Sequence, residues 1–263
     1  VFERISFERE FQDLELGPKR GLAYVLERLM RQRRTARTRN YESENGEKRQ
    51  AWNQLSTDDQ LMLLFEPGTS YVRLRDIKAT VSVSTSGLSV KDVKDEGAVD
   101  RDKTLKFAKR FVTPLFKTSL GTKWFADVAG GFGKDPDPKT KVQMPDVHPR
   151  VVFLGWATGK TRYGGTVTVA LDGKDALDPK KGSRSMILFD EKGKDWEMFP
   201  EFKSRPDIVM LHELVHARRN QIGARTDDQH AEEKVALIEE NRYRDAIGEG
   251  ITDLGDRLKK RHI

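Results

Sequence analysis

The stretch that decides the reading is Asp207–Gly223, DIVMLHELVHARRNQIG, in which two of the chain's five histidines stand four residues apart. Residues four apart on a helix project from one face, one turn above the other. His212 and His216 are therefore expected to offer two imidazole nitrogens to one ion at roughly 2.0–2.1 Å. Glu213 is rotated by about 100° from His212. From there it reaches the open side of such an ion without ligating it, which is the mechanical content of an H-E-x-x-H pattern. A zinc ion so held lowers the pKa of its bound water towards about 7, and the glutamate takes the proton. The flanks predict a bounded helix: Ser204 or Asp207 as its cap, Pro206 in the first turn and Gly223 at the end. Ile208, Leu211, Leu214 and Val215 form its inward side, and Arg218 and Arg219 suit the negative end of the helix dipole.

Two histidines do not complete a catalytic zinc site, so a third ligand is required. The next predicted helix, TDDQHAEEKVALIEENRYRDAIG, offers His230, Glu232, Glu233, Glu239 and Glu240. A turn at Gly223 lets it fold back along the first helix, and Glu233 lies seventeen positions after His216, far enough for that return. Glu232 points to a different side. Glu240 shares the face of Glu233 two turns on, which suits a residue that braces a ligand.

Outward from these helices the chain is polar: 34% of its 263 residues are charged and 36% hydrophobic, with a net charge of +6. That length can bury a real core. No run of eighteen apolar residues exists, so no transmembrane helix is expected, and no cleavable secretory signal is visible. The first residue is Val1, so a fragment of a longer protein is expected. The absence of cysteine excludes disulfides, thiolate zinc sites and a cysteine nucleophile.

GPKRGLAYVLERLMRQRR and STDDQLMLLFEPG read as helices, the second capped by Ser56 or Thr57 and ended by Pro67-Gly68. SYVRLRDIKATVSVSTSGLSV alternates like a strand or hairpin, and KTLKFAKRFVTPLFKTSL is helical with a break at Pro114. AGGFGKDPDPKTKVQMPD reads as a linker, with a boundary near residues 130–145. RVVFLGWA, GGTVTVALDG and RSMILFDEKG read as strands. The expected class is α+β. Residues 1–135 would be a mainly helical accessory region with a short β segment, and 140–263 a zincin-like zinc metallopeptidase domain.

Other signals are weaker. Six arginines within Arg28–Arg39 permit a nucleic-acid or acidic-surface contact, but no aromatic residues are interleaved for base stacking, and a solvated helix face is the commoner reading. Gly159-Lys160-Thr161 lacks the earlier glycine and following helix of a phosphate loop. No G-x-S-x-G elbow supports a serine hydrolase. Ile187 to Asp190 is a candidate edge on which an extended substrate adds as a strand.

MLHELVHARRNQIG followed by AEEKVALIEENRYRDAIGEG resembles the NleD-like family of bacterial effector zinc metallopeptidases, and more distantly clostridial neurotoxin light chains. The likeness covers roughly residues 185–250. Its elements stand here as His212, Glu213, Leu214, His216, Ala217, Glu233 and Glu240-Asn241-Arg244. It implies Glu233 as third ligand, with Glu232 as the fallback, around one Zn2+, and Glu213 as general base. Asn241 and Arg244 would brace the helix pair. It further implies an endopeptidase secreted and delivered into a target cell, a protein substrate there, and a cognate immunity or chaperone protein. Oxyanion stabilisation would fall to Tyr243, Tyr163, His230 or a group the sequence does not single out. The alternatives are a binding module using segment 28–39, and a non-peptidase zinc hydrolase with the same ligands.

Overall fold

The computed structural model describes residues 17–36, 55–66, 69–84, 87–131, 151–158, 166–190 and 205–250. Helix α1 (Pro18–Ala36) is followed by α2 (Thr57–Leu63), whose first turn is capped by the Ser56 hydroxyl accepting from the Asp59 amide. Strands β1 (Val72–Ser84) and β2 (Gly87–Ala98) form the expected hairpin. Next come α3 (Arg101–Phe107), a π-helical stretch (Ala108–Val112) and a 3-10 turn (Thr113–Lys117). Pro114 sits at the start of that turn, where its missing N–H costs nothing, and it breaks the helix as anticipated. Helix α4 (Ser119–Gly130), β3 (Val152–Thr158), β4 (Val167–Ala170), β5 (Ser185–Asp190), α5 (Pro206–Gln221) and α6 (Gln229–Ala246) complete the order.

The five strands form one mixed sheet, in the order β2-β1-β3-β5-β4. β1, β3 and β5 run parallel, while β2 and β4 are antiparallel to their neighbours. The fold is α+β. Alternation along each strand divides its side chains between two faces. Val72, Leu74, Leu154, Ile187 and Phe189 join the helices in the main core, whereas Ile77, Ala79, Val81, Met186 and Leu188 form a smaller cluster.

The expected two-region division fails at this level. β1, from the first 135 residues, pairs in parallel with β3 from the later part, Val72 opposite Val152 and Leu74 opposite Leu154. The main core likewise mixes Leu22, Leu26 and Phe125 with Ile208, Leu214 and Tyr243. Proline, glycine and charge between residues 130 and 145 mark a connection, but they cannot reveal that the strands on either side share hydrogen bonds. Most of that linker lies outside the described residues, as do Pro67-Gly68, Gly159-Lys160-Thr161, Tyr163 and Ser204.

Helix α5 lies deep in the molecule. Ile208, Leu211, Leu214 and Val215 are fully buried, as their spacing predicts, but so are Met210 and Ala217 on other sides. The helix has α4, α6 and the sheet around it, so it has no solvent face. Its cap differs from expectation: Arg205 is the cap residue, and its side chain makes no capping hydrogen bond to the helix backbone. Asp207 is instead held by Arg205 at 2.7 Å and by the Tyr243 hydroxyl at 2.7 Å, which uses up its oxygens.

At the other end, the Asn220 amide donates to Ser185 Oγ at 3.0 Å and Gln221 donates to the Val128 carbonyl at 3.0 Å, fixing α5 to β5 and α4. Gly223 then turns the chain with φ +63°, and a Cβ there would collide with the Asp178 carbonyl. Only glycine meets both demands without strain.

Candidate metal centre

Asp228 caps α6 by accepting from the His230 and Ala231 amides at 2.9 and 3.2 Å, so the helix starts just after the turn and packs back along α5. This sets the first turn of α6 beside the histidines. His212 Nε2 lies 3.2 Å from His216 Nε2. Glu233 completes a triangle, with its carboxylate oxygens 3.4 Å from His212 Nε2 and 3.5 Å from His216 Nε2.

Those edges test whether an ion fits. Ligands about 2.0–2.1 Å from a tetrahedral metal lie about 3.3–3.4 Å from one another by simple geometry. The His212–His216 separation falls within a few tenths of an ångström of that value, as does the closest approach of each histidine to Glu233, made to Oε2 for His212 and to Oε1 for His216. His212, His216 and Glu233 could therefore hold a metal ion as they stand.

Glu232, the alternative ligand, is used elsewhere. Its Oε1 faces His216 Nδ1 at 3.4 Å and accepts from Arg219 Nε at 2.8 Å, while Oε2 accepts from the Thr226 amide at 3.1 Å. It lies behind the imidazole, on the side away from the triangle. Glu240 does the same for His212, meeting Nδ1 at 2.9 Å and accepting from Arg244 Nε at 2.9 Å through its other oxygen. Each histidine thus has a carboxylate at Nδ1, which fixes the ring and turns Nε2 towards the shared point. Arg244 also contacts Glu249 at 3.3 Å, and Glu249 in turn meets Arg205 at the start of α5 at 3.3 Å, while Asn241 is half-buried on α6.

Glu213 is buried and accepts a 2.7 Å hydrogen bond from Thr168 Oγ1. The same hydroxyl reaches the Glu213 carbonyl at 3.2 Å, tying α5 to β4 at the residue next to His212. Thr168 was invisible in the sequence, where it is one threonine in an alternating strand. Burial pushes the Glu213 carboxyl above its usual range, against the pull of the His212 and His216 charges. Burial would lower His216, but its hydrogen bonds to the Glu232 and Glu233 carboxylates, with the charges of Glu233 and Glu213, raise it to about 9. Burial would raise Glu232, but the hydrogen bonds to His216 and Arg219 bring it down to about 2. The field at the triangle favours positive charge, whether a proton or a metal.

Other expectations are corrected. β5 is not an edge where β4 covers it: Ile187 pairs with Leu154 of β3 on one side and Thr168 of β4 on the other, and Leu188 pairs with Gly155 and Val167, so Ile187 and Leu188 cannot receive an added strand. β4 occupies that end of the sheet. Tyr243 is fully buried, its hydroxyl spent on Asp207 and the Pro114 carbonyl, and it cannot serve an oxyanion at the triangle. His230 is exposed in the first turn of α6, three residues before Glu233. Arg28 of the arginine run is bound to Asp127 at 2.6 Å, and the side chains beyond residue 30 of that run lie outside the described residues. Among the described residues, no helix is long and apolar enough to cross a membrane. Compared with protein-family models, with curated proteins and with solved structures, the chain finds no match.

Proposed function

We propose that this chain is a zinc-dependent endopeptidase with a zincin-like active site. The observation that carries the reading is the convergence of His212 Nε2 and His216 Nε2, 3.2 Å apart, on the Glu233 carboxylate, whose Oε2 lies 3.4 Å from the first and Oε1 3.5 Å from the second, beside the buried carboxylate of Glu213. Two imidazoles and one carboxylate form a ligand set that suits zinc and leaves a coordination position open. Zinc bound there would polarise the substrate carbonyl and acidify a water.

The chain's own residues do the rest. Glu232 and Glu240 hold the imidazoles by Nδ1, so that both Nε2 lone pairs converge. Glu213 takes the proton of the attacking water and returns it to the leaving amine. Burial raises its pKa, the direction that makes a carboxylate a better base. Thr168 fixes one carboxylate oxygen and leaves the other for the water. β4, paired only with β5 among the described residues, offers its outer backbone edge to an extended peptide.

The resemblance of the helix pair to NleD-like metallopeptidases supports placing the chain among secreted effectors or toxins that cleave a protein inside a target cell. Fold-level likeness alone would not carry that step. The test is to incubate zinc-loaded protein with a cell lysate and map new protein termini by mass spectrometry. Termini made by the wild type and missing with Glu213→Gln are expected. An identical set from both proteins would overturn the reading.

A further inference from the structure

A second feature lies on the same face of the sheet. A cavity of about 310 Å³ opens between β1, α3, the π-helical stretch and the ends of β3 and β5. Its floor is aromatic. Phe107 stacks on Phe111 at 4.7 Å between ring centres, and Phe189 packs against both at 5.1 and 4.8 Å. Trp156, only partly buried, meets Phe107 edge to face at 5.7 Å.

The rim is cationic. Lys78, Lys103, Lys106 and Arg110 line the cavity, with Asp76 as the sole carboxylate in its wall among the described residues. Lys78 is engaged by Glu96 at 2.9 Å and Lys103 by Asp100 at 3.6 Å. Among the described residues Lys106 and Arg110 make no ion pair; Arg110 lies over the Phe111 ring at 5.2 Å. An apolar floor below Lys106 and Arg110, unpaired among the described residues, fits a bulky apolar group carried next to negative charge.

The cavity also adjoins the metal centre. Thr166 lines it, and its buried hydroxyl has no hydrogen-bond partner among the described residues. Two residues on is Thr168, which holds Glu213. Side chains two apart on a strand share a face and are about 6.5 Å apart. The register agrees: Thr168 lies opposite Ile187 in β5, so Thr166 falls beside Phe189. A peptide running along β4 past Glu213 would bring a side chain over this cavity within a residue or two of the reacting bond.

We infer that this cavity is a specificity subsite that takes a bulky apolar side chain of the substrate flanked by acidic residues. The inference rests on the proposed peptidase reading for its place beside the scissile bond, and binding tests it separately from cleavage. The probes are two fluorescent peptides, one carrying Glu-Phe-Glu and the other Lys-Phe-Lys in the same frame, titrated into zinc-loaded Glu213→Gln protein. The acidic peptide is expected to bind at least about tenfold more tightly. Lys106→Glu with Arg110→Glu should reverse the order. The milder pair Lys106→Gln and Arg110→Gln should abolish the preference while leaving zinc content unchanged.

Selective binding without cleavage by the wild type would uphold the subsite and sink the peptidase reading. Cleavage with no preference between the peptides, or a preference unaffected by either charge change, would overturn the subsite. So would occupancy by a small amphiphilic acid such as dodecanoate with neither peptide binding.

Discussion

The two ends of the α5–α6 pair both bury charge, and they treat it differently. At the N-terminal end of α5, Asp207 and Glu249 are met by Arg205 and Arg244, and the Tyr243 hydroxyl completes the set. Those charges balance, and the cluster fastens the helices together. At the other end Glu213, Glu232, Glu233 and Glu240 gather around two histidines, with Arg219 and a share of Arg244 as the guanidiniums facing them among the described residues. There the carboxylates face imidazoles, and His216 carries positive charge when its site holds a proton. Buried carboxylates are costly unless a cation joins them. Stability explains the first cluster, and the second could hold a metal ion.

The contrast is broken most sharply at Glu213. Glu213→Gln removes the base but no ligand, so turnover should fall by about a thousandfold or more with metal content unchanged. Peptide hydrolysis and elemental analysis of one preparation check this. Glu240→Gln comes next: weakening the brace on His212 Nδ1 should cost about 10–100-fold in metal affinity, read by competition with a chelator.

Proton competition follows. His216 without metal holds its proton up to about 9, so below that pH a metal must displace it. Affinity should fall by about tenfold for each unit of pH decrease from there, with proton release on binding detectable in weakly buffered solution. The smallest effect belongs to the balanced end. Tyr243→Phe removes one hydroxyl from Asp207 and should lower stability by about 1 kcal/mol in denaturant titration, with metal affinity unmoved. A loss of metal affinity there would erase the distinction between the two ends.

The sequence made one of these ends legible and hid the other. His212, Glu213 and His216 declare themselves because helical spacing is fixed by the backbone, and the return of α6 follows from a glycine turn and an aspartate cap. The separate roles of Glu232 and Glu233 also follow from adjacent helical positions, once the direction of α6 is known. Thr168 could not be found in this way, because its contact spans forty-five residues and depends on which strand takes the edge. The same long-range pairing defeated the expected domain boundary and the choice of β5 as substrate edge. Local periodicity gives a strand's faces, but its neighbours are set by the whole chain. Asp207 shows a further limit: a residue of the right type for a cap was taken by Arg205 and Tyr243 instead.

The most direct measurement is zinc content by elemental analysis of the purified wild type, Glu233→Ala and Glu232→Ala after dialysis against dilute zinc. About one equivalent in the wild type, little in Glu233→Ala and substantial retention in Glu232→Ala are the predicted results. Zinc retained undiminished in Glu233→Ala, or none taken up by the wild type, would contradict a centre built on His212, His216 and Glu233.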